Sequence, residues 1–516
     1  MTAPEPDVHA GGSVRVFAEY EGDFHEQAEV VVVGSGPCGA VVAYELARAG
    51  RDVILIEEGP PFTPRDFTLE GSLSMARTLR EGGLRTTRGT VMPTMQAIAL
   101  GGGSVVNSAI CVRPPDFVFE RWAGGFELEG TRRSDLDPHF DAVAEFLGIA
   151  TTPEDVQGKR NLLFRQGCEA LGVESEPIAR NVRGCRGSGE CFTGCRSRAK
   201  QSMDISYVPA AIRHGARVLT SLQVQQVRKE GTRVTGVEGQ VVAPFRGRAS
   251  HRFRVDAKTV VLAAGCMATP VILGKSGNLA NRSGQVGRNL QFHPGVAIAG
   301  IFPEPTQPQF GATQGYQSLA FLHEGFKLEA LWAPSSVLVV RMPGFGEELL
   351  SRLGEVPRMA VWDAIASTHR SLGSVKGRWR SMDPVIHWRL HPQDLHILTR
   401  SLYVLAQLFF AAGAEKIVPG VLGLPEEMHS LAEAEQLRGP EIRTRDLVCG
   451  GNHAFCTTRM HGDPRLGVVD ELGHCHDLDN LYIADTGIFP QCPSVNPMFT
   501  AMALAHRQAG VIAERL

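Results

Sequence analysis

Apolar and polar positions follow different rhythms along this chain. Val30–Val33 is a β-branched run with no polar face, as a strand covered on both sides requires. Val53–Ile56 repeats that pattern. Between them, AVVAYELARAG (Ala40–Gly50) has helical periodicity, and Gly50 is placed to end the helix. A strand–helix–strand unit is therefore predicted near the N-terminus. Farther on, LEALWAPSSVLVVRMPG and DPVIHWRL read as antiparallel strands, and LTRSLYVLAQLFFAAGAEKI as a helix. Its apolar core, Leu402–Ala414, is too short to cross a bilayer and reads as a buried or half-buried helix.

A chain of 516 residues exceeds one hydrophobic core and predicts two or three domains. An apolar fraction of 43% and a charged fraction of 21% are those of a soluble globular protein. A net charge of −3 leaves no footprint for nucleic acid or an anionic membrane. The first 24 residues lack a basic start and an apolar run, so no secretory signal is expected. Eleven scattered cysteines suit a reducing, cytoplasmic setting. No internal repeat or low-complexity linker interrupts the chain.

Gly34, Gly36 and Gly39 follow the first strand at G-x-G-x-x-G spacing. The first permits a tight turn, the second lets backbone approach a pyrophosphate, and the third lets helix pack on sheet. Glu57 ends the second strand, where a carboxylate can accept hydrogen bonds from an adenosine ribose. FAD and NAD share this grip. The next glycine cluster, AIALGGGSVVNSAICVRPP (residues 97–115), runs directly into small and apolar residues that expect burial. Such residues let backbone lie against a flat isoalloxazine.

Here the sequence resembles the glucose–methanol–choline (GMC) oxidoreductases, FAD enzymes that act on alcohols. GGGSVVNSAICVRP looks like the family's first signature. AAGCMATPVILGKSGNL looks like its second, with Cys266 and Asn278 departing from the usual residues. The most specific match is the C-terminal block from His453 through Asn496 to Ala513. The resemblance implies an α/β fold: a discontinuous Rossmann-like FAD-binding domain (residues 1–288 and 437–516) and an inserted α+β substrate-binding domain on an antiparallel sheet (289–436). Members that attach FAD covalently often use a His in the first signature; Val106 stands there instead, which argues for noncovalent FAD.

The same resemblance puts His453 and Asn496 on the substrate side of the flavin. A neutral imidazole, with an ordinary pKa of about 6.5, can take the proton that an alcohol loses. An Asn amide can hold the substrate oxygen without competing for that proton. Asn496 also reads as a helix N-cap, with Pro497 at the first helical position. That helix's free N–H groups would favour negative charge on reduced flavin. Cofactor contacts are expected from Gly102, Ser104, Asn107, Ser108, Pro497 and Met498. Asp485 resembles the acid near the ribityl or pyrophosphate region, and Val224 the strand residue whose backbone meets adenine.

The segment from Cys185 to Ala216 resembles the long-chain fatty alcohol oxidase branch, and SVNP is shared with it and with cholesterol oxidases. Cys185, Cys191 and Cys195 read either as packed thiols or one disulfide, or as an iron–sulfur or metal site. Their spacing matches no zinc pattern and no fourth ligand is evident, so no metal is expected. His474 and His476 read as part of a solvated turn. Ala454, Phe455 and Val495 would line an apolar pocket. The reaction expected is oxidation of a medium- or long-chain primary alcohol to the aldehyde, with oxygen or another acceptor taking the electrons. Alternatives are a sterol oxidase or dehydrogenase, a non-redox lyase of the same family, and a flavin-binding protein without turnover.

Overall fold

Val30–Val33 are fully or nearly fully buried and form the end of a longer strand, β1 (Phe24–Val33), whose first half is more exposed. The computed structural model describes residues 14–516 except 246, 335–337 and 339–341. Most of the segment read for a secretory signal, and part of the strand text at 328–344, lie outside these residues. After β1 the chain turns through Gly34 (φ +103°), enters α1 (Pro37–Arg48) and returns as β2 (Val53–Ile56). Gly50, at φ +79°, follows the helix end as its position predicts. The strands β3 (Arg217–Leu219), β4 (Leu222–Glu230), β5 (Arg233–Val242) and β6 (Ala249–Leu262) complete most of a first sheet. From the edge pair Val14–Arg15 its order is β3–β2–β1–β6–β5–β4. Strands β3, β2, β1 and β6 are parallel, so the carboxyl ends of β1, β2 and β6 open on one crevice.

The second sheet is antiparallel. It is built from β7 (Gln291–Ile301), β8 (Tyr316–Ser318), β9 (Phe326–Leu331), β10 (Met359–Ala366), β11 (Lys416–Val418) and β12 (Gly450–Phe455). Its order is β11–β7–β10–β9–β8, with Glu176–Pro177 beyond β8, and β12 pairs with β7. Strands from both sides of residues 289–436 therefore enter this sheet. The helix α2 (Pro392–Ala411) lies against it and buries Leu398, Leu402, Leu405 and Phe409; the Phe409 ring stacks on Trp362 with centroids 3.7 Å apart. Each such side chain contributes about 1.5–3 kcal/mol by leaving water.

The chain returns to the first sheet in β13 (Leu481–Ile483), which runs parallel to β6. Its last helix, α3 (Met498–Arg515), packs along α1. Among the described residues no helix is long and apolar enough to cross a membrane.

Candidate active site

One cavity of about 550 Å³ is lined both by the carboxyl ends of the first sheet and by a face of the second. On the first side it is walled by Gly34, Gly36, Glu57, Gly102, Asn107, Ser108, Val224 and Asp485. Two of the glycines there, Gly34 and Gly102, are sterically required. A Cβ on Gly34 would lie 2.3 Å from the Ala263 carbonyl oxygen, and one on Gly102 would lie 2.6 Å from Gly36 Cα. Gly39 lies behind the wall, where a Cβ would come within 1.9 Å of the Gly34 oxygen. Its absence lets α1 pack against the turn, as the motif predicts.

Glu57 and Asp485 are buried carboxylates held by donors. The Ser35 N–H and hydroxyl donate to Glu57 Oε2 at 2.9 and 2.6 Å, and the Gly59 N–H to Oε1 at 2.8 Å. Burial nonetheless raises the Glu57 carboxyl above its ordinary range. Asp485 accepts from Gly265 N–H, the Thr269 hydroxyl and Gly487 N–H, and burial raises it too.

On the second side, pairing of β7 with β12 sets His293 opposite His453, with their Nδ1 atoms 3.2 Å apart. Burial lowers His453 to about 4; Glu329 opposes this and Lys327 adds to it. His293 is held well below its ordinary value, by burial and then by His453, His369 and Lys327. Asn496, Pro497, Met498 and Ala501 bring the start of α3 to the same cavity. Lys327 Nζ donates to Asn496 Oδ1 at 2.6 Å and also to Glu329, whose other oxygen accepts from Gln314.

The GMC oxidoreductase family pattern matches residues 31–295 with its N-terminal part and 370–505 with its C-terminal part. The chain belongs to the GMC oxidoreductases. An uncharacterized GMC-type oxidoreductase of Mycobacterium tuberculosis is 33% identical over 489 residues, covering 93% of this chain and 75% of the relative. A long-chain-alcohol oxidase of Arabidopsis thaliana is 27% identical, covering 97% of this chain and 69% of its own. Pyridoxine 4-oxidase of Mesorbium loti shares the fold at 19% identity and a TM-score of 0.69, covering 94% of this chain and 99% of that one. A formate oxidase variant of Aspergillus oryzae does so at 16% identity and a TM-score of 0.73, covering 95% and 99%.

The cofactor of this GMC oxidoreductase is FAD. The residues fit it: the crowded glycine backbone at Gly34, Gly36 and Gly102 leaves a side-chain-free wall, Glu57 stands at the strand end suited to a ribose, and the start of α3 faces the same space. Val106, where a covalent link through His would require another residue, is a wall residue.

Four readings from the sequence need correction. Ser104 does not face the cavity; it is fully buried, donates to the Gly101 carbonyl and accepts from Met203 N–H, so it braces the glycine turn. Asn496 is not a helix cap, because its side-chain oxygen is taken by Lys327; Pro497 is the residue preceding the helix, which begins at Met498. Phe455 packs against His293 and Phe489. Val495 packs with Ile110 and Ile178. Of the expected apolar trio, only Ala454 lines the cavity.

The cysteine-rich segment braces the flavin side. Cys185, Cys191 and Cys195 carry no disulfide. Among the described residues no group of three His, Cys, Asp or Glu is placed to hold a metal ion. Lys200, nearly fully buried, donates to the carbonyls of Val105, Asn107 and Cys191 at 2.7–2.9 Å. Arg180 donates to the Ser108 carbonyl at 3.0 Å and to Cys191 Sγ at 2.9 Å. Sequence reasoning missed Lys200, Arg180, His293, Lys327, Glu329 and Gln314. For Lys327 and Glu329 the signal is a charged residue inside apolar text, FKLEAL; Lys200 and Gln314 stand in polar text and carry no such signal.

Proposed function

We propose that this enzyme oxidises a medium- or long-chain primary alcohol to its aldehyde, with oxygen or another acceptor reoxidising the flavin. The supporting observation is the layout of one face of the second sheet. Strand register sets Ala297 opposite Asp363 and Asp363 opposite Glu329; one step farther from His453, Ala299 faces Val361 and Val361 faces Leu331. Polar groups thus lie nearer His453 and Asn496, and apolar ones beyond. A small apolar cavity lies on the other side of Val361, which lines both, and is lined also by Ala299, Met342, Met359 and Val418. A hydroxyl head with an alkyl tail matches that order. The names of the Arabidopsis relatives support the same reading.

In this reading His453 accepts the hydroxyl proton at Nε2. This role requires that its Nδ1 carry the hydrogen and donate to His293 Nδ1, 3.2 Å away. Asn496 donates an amide N–H to the substrate oxygen as its charge develops. Bound FAD supplies the two-electron acceptor for the hydride. Residues 289–436, together with β12, form the substrate side, and the other residues the FAD side. The unbridged cysteines suit a cytoplasmic location. Anaerobic mixing with hexanol, decanol, dodecanol, cholesterol and glucose tests the reading. Bleaching of the yellow flavin by the linear alcohols is the expected result. Preference for cholesterol would favour a sterol enzyme, and no bleaching by any of them a lyase or a protein without turnover.

A further inference from the structure

Lys327 and Glu329 lie two residues apart on β9 and point to the same side, with exposures of 0% and 1%. A buried ion pair is weak evidence for stability, since desolvation cancels much of its attraction. The partners explain more than stability does. An ammonium group has hydrogens to give and no lone pair. The Asn496 atom 2.6 Å from Lys327 Nζ must therefore be the carbonyl oxygen. This determines which way the amide faces. Its N–H groups turn to the cavity that Asn496 lines, and no protein group among the described residues takes them. Without Lys327 the amide could flip and present an acceptor to the substrate oxygen.

The same pair acts on His453 by charge. The groups around that ring are His293 on β7, Lys327 and Glu329 on β9, and Asp363 on β10, with His369 beside Arg121 beyond His293. Glu329 favours the protonated ring and Lys327, the weaker of the two influences, disfavours it, so the ion-paired side chains act on the ring in opposite senses.

We propose that Lys327 and Glu329 are positioning residues for the reaction: Lys327 locks the Asn496 amide as a donor toward the substrate oxygen, and the two side chains act in opposite senses on the charge felt by His453. The proposal rests on the reading of His453 and Asn496 given above.

The test compares holoenzymes of the parent, Lys327→Met, Lys327→Arg, Glu329→Gln and Asn496→Ala with the double variants. Anaerobic flavin reduction by decanol is followed from pH 4 to 9. Lys327→Met should reduce ~10–100-fold more slowly, and adding Asn496→Ala to it should cost little more. The acid limb should move up in Lys327→Met and down in Glu329→Gln, and Lys327→Arg should restore most of the rate. A parental rate and pH profile in Lys327→Met, or losses that multiply fully with Asn496→Ala, would overturn the proposal. Should Lys327→Met fail to retain FAD because Glu329 is left uncompensated, Lys327→Met/Glu329→Gln removes both charges and takes its place in the comparison with Asn496→Ala. Should no alcohol reduce the parent, the substrate reading fails by itself. Histidine-selective NMR titration, assigned with His453→Asn, then decides: opposite movements of the His453 titration in the two single variants support the proposal, and an unmoved titration sinks it.

Discussion

A base that takes a proton from an alcohol, the role proposed for His453, must be neutral when the substrate arrives, and burial of the ring meets that requirement. With its pKa lowered to about 4, the ring is uncharged across the neutral range. Flavin reduction should therefore be nearly flat from pH 8 to 5 and decline toward pH 4, which a stopped-flow pH profile checks. His453→Ala should slow reduction by ~10²–10⁴-fold while FAD stays bound. The same shift bears on stability. The unfolded ring binds a proton below its ordinary value of about 6.5, whereas the folded ring resists it until about 4. Stability from this residue is thus present above pH 6.5 and lost as pH falls toward 4. His453→Asn should lose less melting temperature than the parent across that window. His453 and Asn496 are legible in sequence because a long, ordered block carries them. Lys327 is not, since its bond to Asn496 joins residues 169 apart and only strand pairing brings them together.

Elements differ in legibility for the same reason. The unit β1–α1–β2 is legible in order and type, though not in the first half of β1, because its turn, helix and strands are consecutive and Gly34 and Gly39 answer local crowding. The glycine cluster at 101–103 is legible as backbone free to lie against a flat ring, but its closest partner, Gly36, comes from another element. Gly102 has φ +56°, and a Cβ would press on Gly36 backbone. Gly102→Ala should therefore separate the two loops and lower FAD retention. The ratio of flavin to protein absorbance after gel filtration measures this, and parental retention would remove the close approach from the argument. At α3 sequence preference misleads. Asn before Pro reads as a cap, yet a buried ammonium makes the stronger claim on its oxygen.

Across the whole molecule, the two sheets divide the work. In the proposed reading the first sheet, through its parallel strands, holds the FAD and the antiparallel sheet faces the substrate, with β12 carrying His453 to the cavity between them. Val106 on the wall supports a cofactor held without a covalent bond, so acid precipitation should release all the yellow colour to the supernatant; colour kept in the pellet would count against it. The tail-side surface was the part least legible in sequence. Neighbours of His453 and Asn496 in the chain suggested an apolar lining, but Phe455 packs against His293 and Phe489 and Val495 against Ile110 and Ile178, so of the three only Ala454 reaches the cavity. The apolar residues come instead from β7, β9 and β10, whose register no local pattern reveals. If alkyl chains lie along that face, each added methylene that reaches it should raise kcat/KM about fourfold, as ~0.8 kcal/mol per methylene implies. Efficiency should climb from hexanol to dodecanol, with glucose poor. Val361, 5% exposed, lines both the main cavity and the small apolar one. Val361→Phe should therefore leave hexanol nearly unchanged and depress dodecanol by ~10-fold or more, two to three methylenes' worth of burial. Equal losses for both alcohols would mean that the ring disturbs the site as a whole. An unchanged preference for dodecanol would mean that the chain leaves the protein by another route.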